Sequence, residues 1–209
     1  MKNKFFTREI CVCVHLTQTR YAQKTCAEMR NKMDLKRNIL DSVKECEIKL
    51  GYRKEAVSLY YPRNVLKELL FATDDNLQEK INGFCQSVTE ELGEVRIMET
   101  QEAGRYQIVI PEKGVSYVHE NVEASTFLKE FVENIYKPGM RKEDMIALFR
   151  RFSDKVVVEQ VDEREWAVYF ESPEIDAYVY YMEEDEFGLQ YHRFTRESYR
   201  ELVKSTFNG

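Results

Sequence analysis

Apolar residues change their spacing in blocks along this chain, and that block order constrains the fold more than any other feature. From Asp34, the positions Leu35, Ile39, Val43, Cys46 and Leu50 recur every three or four residues. Asp34 is placed to cap and Gly51 to terminate, which predicts an amphipathic helix. Pro62 suits a first helical position, and Val65, Leu66, Leu69 and Leu70 continue from it as a short second helix. After Thr73-Asp74-Asp75, the series Leu77, Ile81, Phe84, Val88 and Leu92 keeps helical period as far as Gly93.

There the period falls to two. Val95-x-Ile97, Tyr106-x-Ile108-x-Ile110 and Val115-x-Tyr117-x-His119 are separated by turn-forming residues, Glu102-Ala103-Gly104 and Pro111-Glu112-Lys113-Gly114. This pattern predicts a three-stranded antiparallel meander. Two helices follow, one through Phe127, Leu128, Phe131, Val132 and Ile135, stopped by Pro138-Gly139, and one through Met145, Leu148, Phe149 and Phe152. Arg150 and Arg151 fall in the last turn of the second, where they complement the helix dipole. Alternation returns over 155–161, 165–171, 176–182 and 187–194 as a four-stranded meander, and Thr195 then caps a C-terminal helix carrying Tyr199, Leu202 and Val203. Blocks of helices and strands that do not alternate mean an α+β fold with antiparallel pairing, and exclude a parallel nucleotide-binding sheet. No Pro- or Ser-rich linker divides the two strand blocks, so residues 33–209 read as a single domain, with one continuous sheet as an option.

Loop lengths suggest registers. If Glu183 to Glu186 form a four-residue loop, Tyr178, Tyr180 and Met182 share a face with Phe187, Leu189 and Tyr191, and Trp166, Val168 and Phe170 join them. Tyr181 would then cover Gly188 on the other face.

Charge is uneven. The chain carries a net −6, yet residues 1–32 hold seven basic and two acidic side chains, a net +5, leaving −11 on the remainder. So acidic a domain repels a phosphate backbone or an anionic bilayer, which argues against nucleic acid and membrane partners and leaves a basic protein as a fitting one. Five cysteines without paired spacing, three of them (Cys11, Cys13, Cys26) in the first segment, point to reduced thiols and a cytoplasmic location. Cys11-Val12-Cys13 with His15 falls short of a zinc pattern. The apolar run Ile10 to Leu16 is too short for a secretory core, so 1–32 reads as a poorly ordered or weakly packed N-terminal extension before a domain that begins near Met33.

Candidate chemistry centres on the histidines. His15, His119 and His192 are the full set, and an imidazole beside a carboxylate can serve as a general acid/base pair. The predicted meander places Glu99, Tyr106 and His119 in one cross-strand row. Near the C terminus, Glu171 would approach His192 across Ala177, with Tyr181, Tyr191 and Arg193 offering donors to an anionic ligand. A structural role for each group competes with these readings: a hydrogen-bonded row, a core tyrosine, a solvated imidazole, an arginine paired to an acid. Glu183-Glu184-Asp185-Glu186 lacks the spacing and central glycine of a calcium loop, so no metal site is expected. No phosphate-binding glycine loop, Cys-x-x-Cys pair, Gly-x-Ser-x-Gly elbow or His-Glu-x-x-His is present, and no cofactor is expected.

The stretch Tyr180-Tyr181-Met182-Glu183-Glu184-Asp185-Glu186-Phe187-Gly188-Leu189-Gln190-Tyr191-His192-Arg193-Phe194, with Leu59-Tyr60-Tyr61-Pro62, resembles a bacterial family known only as a domain of unknown function. The resemblance covers about residue 33 to the end. It implies a cytoplasmic bacterial protein and carries no activity or catalytic residue. Two classes of function stay open: a non-catalytic interaction or regulatory protein of acidic character, and a small-molecule hydrolase using His192 or His119 with Glu171 or Glu99.

Overall fold

A computed structural model describes residues 33–186 and 188–200. The expectations for the 1–32 extension and its cysteines, for Phe187 and for Leu202 and Val203 lie outside the described residues. Helix α1 (Leu35–Leu50) forms where the periodicity places it. Asp34 Oδ1 accepts the Arg37 N–H at 2.8 Å and Gly51 closes the helix at φ +72°, a conformation open to glycine at little cost. Strand β1 (Val57–Pro62) leads into α2 (Arg63–Leu69), whose N-cap is Pro62 as its fixed φ favours, and α3 (Leu77–Leu92) ends at Gly93.

Strands β2 (Arg96–Glu99) and β3 (Arg105–Ile110) pair as the alternation predicts, with Ile97 opposite Ile108 and Glu99 opposite Tyr106. The third strand of this sheet is not the expected one. Residues 115–119 lie in helix α4 (Glu112–Asn121), and β1 takes the other edge of β3, giving the antiparallel order β1-β3-β2. Two periods compete in 112–121. Burial follows the helical one, with Gly114, Val115 and Val118 inside, while Pro111 in extended conformation and Glu112 in the first turn supply start signals. Val57-Ser58-Leu59-Tyr60-Tyr61 is β-branched and aromatic, and pairs fully with β3, Tyr61 standing opposite Tyr106.

Helices α5 (Thr126–Ile135) and α6 (Lys142–Phe152) match the pattern, and Arg150 and Arg151 occupy the last turn of α6. The second sheet is β4 (Val156–Asp162), β5 (Glu165–Phe170), β6 (Tyr178–Asp185) and β7 (Gly188–Thr195), paired antiparallel in chain order. It is separate from the first, so the strands do not form one continuous sheet. Residues 196–200 are helical, and the Thr195 hydroxyl accepts the Ser198 N–H at 3.1 Å as a cap.

The β6–β7 register is four positions away from the one read off loop length. Met182 stands opposite Tyr191 and Asp185 opposite Gly188, so Glu183, Glu184 and Asp185 are in strand. An even shift preserves faces, and Trp166, Val168, Phe170, Tyr178, Tyr180, Met182, Leu189 and Tyr191 are all buried. Tyr181, however, faces His192 across the hairpin and does not cover Gly188. One hydrophobic cluster takes residues from both sheets. Its aromatic centre is Phe127, whose ring meets Phe149, Phe170 and Tyr180 edge-on at 4.7, 4.8 and 5.5 Å, geometry worth about 0.5–1.5 kcal/mol per pair beyond area burial.

Candidate functional site

Strand β7 alternates: Leu189, Tyr191, Arg193 and Thr195 point into the core face, His192 and Phe194 to the other. A cation is thereby driven inward. The Arg193 side chain is 6% exposed, its Nη1 lies 2.9 Å from Glu45 Oε2 on α1, and its guanidinium sits 3.9 Å over the Tyr178 ring. Burying an arginine is tolerable only with compensating charge and stacking. Three carboxylates from two regions supply that charge.

Glu45 accepts the Tyr191 hydroxyl at 2.7 Å and the Lys49 ammonium at 2.7 Å. Burial pushes the Glu45 carboxyl up, yet Arg193 and Lys49 outweigh it and hold the group below the usual carboxylate range. Asp41 accepts the Tyr178 hydroxyl at 2.9 Å, and Asp176 accepts the Tyr180 hydroxyl at 3.0 Å and the Tyr178 N–H at 2.9 Å. For both aspartates burial dominates over the attraction of Arg193, and their carboxyls are raised. Asn38 completes the network, accepting from the Tyr61 hydroxyl at 2.6 Å and donating to the Tyr178 hydroxyl at 3.3 Å. Helix α1, strand β1 and the β6–β7 hairpin are thus joined by one buried polar net.

A cavity of about 300 Å³ opens beside this net between α1, β1 and β7. Glu45, Lys49 and Arg193 are charged residues of its wall, with Tyr61, Tyr178 and Tyr191 among its aromatic ones. A second cavity of about 240 Å³ lies on the other side of Arg193 and Tyr178, where Asp41 and Asp176 line it.

The candidates read from sequence separate into different places. Glu99 does stand beside Tyr106, but His119 is in α4 and hydrogen-bonds Glu47 of α1 instead; the row of three is corrected to a row of Glu99, Tyr106 and Tyr61. Glu99 Oε1 accepts the Gly104 N–H at 2.9 Å, tying the hairpin. The His119 side chain is 52% exposed, and the Glu47 carboxyl, which burial pushes up, is lowered overall by His119 and Lys44. His192 is exposed and its row runs through Tyr181, Ala167 and Glu159, not through Ala177 and Glu171. Glu171 sits past the end of β5, donating its N–H to Lys155 O at 3.0 Å and accepting from Arg196 through its carbonyl at 3.2 Å.

Tyr191 and Arg193 meet at the Glu45 carboxylate, whereas Tyr181 lies on the opposite face and donates to Glu165. Asn38, Asp41, Glu45, Lys49 and Asp176 were not singled out from sequence. A signal did exist: Asn38, Asp41 and Glu45 recur at i, i+3 and i+7 as a polar stripe flanking the apolar one of Leu35, Ile39 and Val43, and polar residues that a helix buries require partners.

Among the described residues no group of His, Cys, Asp and Glu side chains is arranged to hold a metal ion, and no helix is long and apolar enough to cross a membrane. Cys46 and Cys85 are free thiols. Over residues 32–203 the sequence matches the model of a family described as "Domain of unknown function, E. rectale Gene description (DUF3877)". No curated protein matches it.

Proposed function

We propose, on the premise that this chain belongs to the bacterial DUF3877 family, that it is a cytoplasmic interaction protein of acidic character that binds a basic partner and does not catalyse a reaction. One observation carries the reading. At one end of the four-stranded sheet Glu165 stands directly opposite Glu183 and Asp162 opposite Glu165, with Glu163, Glu184 and Glu186 exposed around them. Like charges opposed across strands destabilise a sheet by roughly 0.2–1 kcal/mol per pair. A lysine- or arginine-rich surface docked there would relieve that repulsion and be steered to it by the field.

The test is affinity capture with the full chain in its native cell, followed by cross-link mapping. The reading predicts a basic protein that cross-links to 162–165 and 183–186, elutes with salt, and is lost when Glu165 and Glu183 are both changed to Gln. Capture that survives this double substitution refutes it.

A hydrolase remains the second reading, favoured by the His119–Glu47 hydrogen bond, which sets an imidazole against a carboxylate. Turnover of an ester or amide substrate that disappears in His119→Asn would support it over the first.

A further inference from the structure

Two sheets end on the same cavity. Strand β1 is the outer strand of the order β1-β3-β2 and β7 the outer strand of β4-β5-β6-β7, so each has one side with no neighbouring strand. The cavity of about 300 Å³ is lined by four consecutive residues of β1, 59–62, and by five of β7, 191–195. Successive side chains of a strand point to opposite faces, so a cavity that touches every residue of a run meets the strand edge-on, at its backbone. An edge strand turns the N–H and C=O groups of alternate residues outward. Among the described residues, 59–61 and 191–194 make no backbone hydrogen bond beyond their ladders with β3 and β6. Pro62, which has no N–H to give, is at home on such an edge.

Helix α1 forms the floor. Asn38, Ser42, Glu45 and Lys49, at i, i+4, i+7 and i+11, line the cavity from one face of the helix. Glu45 and Lys49 are paired at 2.7 Å, so the two are neutral between them and the floor is polar. Both strands turn the same side toward α1, since the Tyr61 hydroxyl donates to Asn38 and the Tyr191 hydroxyl to Glu45. Tyr60 and His192, on the alternate positions, are exposed. The pleats of the two edges therefore match in facing, as they must if one strand is to continue both.

We propose that this slot takes an extended segment of a partner protein as an added strand, paired on one side with β1 and on the other with β7, which joins the two sheets into one. A strand at the edge of a folded sheet has a single free side and cannot satisfy both walls, so the occupant is a segment unpaired in its own protein and not the edge of a second copy. Its side chains alternate to suit the slot: small hydroxyl-bearing residues over Asn38 and Ser42, β-branched apolar residues beside Tyr60 on the outer side. Four residues of β1 edge engage about 13 Å of it. The slot lies toward the end of β7 remote from the Asp185–Gly188 pair, and so is a second contact surface besides the acidic one.

The probe is an end-capped seven-residue peptide alternating Thr and Val, titrated into the full chain by fluorescence anisotropy, with amide hydrogen exchange followed residue by residue by NMR. The peptide is expected to saturate a single site and to slow exchange in β1 and β7 together. Methylating the backbone nitrogen of every second peptide residue, in either phase, removes the donors facing one wall and should weaken binding about tenfold or more, the loss of at least one net hydrogen bond. Changing Glu165 and Glu183 together to Gln should leave the affinity unchanged, which separates the slot from the acidic end of the sheet. Absence of saturation at millimolar peptide, undiminished binding of both methylated peptides, slowed exchange in one strand alone, or loss of affinity in the Glu165→Gln, Glu183→Gln protein would each overturn the assignment.

Discussion

Replacing glycine by alanine inside a helix ordinarily stabilises it by about 0.5–1 kcal/mol, because alanine has less unfolded-state freedom to lose. Two helical glycines here should respond with opposite sign. A Cβ at Gly83 of α3 meets nothing within 4 Å, whereas one at Gly114 of α4 would come within 2.7 Å of Ile110 Cγ2 and 2.8 Å of the Leu92 carbonyl oxygen. The side-chain methyl can shift; the carbonyl belongs to the last turn of α3 and cannot move without moving the helix.

Overpacking of this kind costs about 1–3 kcal/mol, and two contacts under 3 Å place Gly114→Ala at the upper end. Setting the ordinary gain of up to about 1 kcal/mol against it leaves a net loss of about 2 kcal/mol. At about 2–4 °C per kcal/mol for a chain of this size, Gly83→Ala should raise the unfolding midpoint by up to about 4 °C and Gly114→Ala lower it by about 4–8 °C. Urea unfolding followed by the fluorescence of Trp166, the single tryptophan and a buried one, measures both at constant m-value. The close α3–α4 approach would be refuted by a Gly114→Ala protein as stable as the Gly83→Ala one.

Arg193→Met removes the counter-cation of Glu45, Asp41 and Asp176 and should lower stability by about 3–5 kcal/mol at neutral pH; because both aspartates are raised by burial and bind protons more readily folded than unfolded, chemical denaturation should show the deficit narrowing as pH falls toward 4. Asp176→Asn abolishes one of those titrations. The wild-type group contributes its full stability below its ordinary value of 3.8 and loses it as pH rises through the raised folded value, so the variant's stability relative to wild type should climb with pH over that window; a flat difference contradicts the burial effect. Burial raises the Cys85 thiol, so peptide mapping after alkylation near pH 8 should find it labelled more slowly than a cysteine in an unfolded peptide, and equal rates would argue that the helix face is open.

Helices with apolar stripes and clear ends were legible: Asp34 and Gly51 bracket α1 by cap chemistry, and Pro138-Gly139 leaves α5 nowhere to continue. The 112–121 segment was not, because Val115, Tyr117 and His119 alternate while Gly114, Val115 and Val118 follow a helical stripe. Start signals at Pro111 and Glu112, together with the close fit of Gly114 on α3, side with the helix. Strand β1 is short and runs straight into a proline-started helix, so the stronger signal masked the weaker. Faces in the second sheet survived an error in loop length because the slip was even, while individual neighbours such as Tyr181 and Gly188 did not. That sensitivity explains the misplaced His192 partner. Its row depends on absolute register, which side-chain alternation leaves undetermined.

The buried net hooks the start of the described chain to its end: the Tyr178–Asn38 and Tyr191–Glu45 bonds span 140 and 146 residues. On a ribosome adding about 5–20 residues per second, α1 would therefore emerge about 7–30 seconds before the hairpin that neutralises its acids. A nascent chain halted in that interval would display Asn38, Asp41 and Glu45 beside an apolar stripe with nothing to receive them, a surface on which chaperones and proteases could distinguish truncated molecules from finished ones.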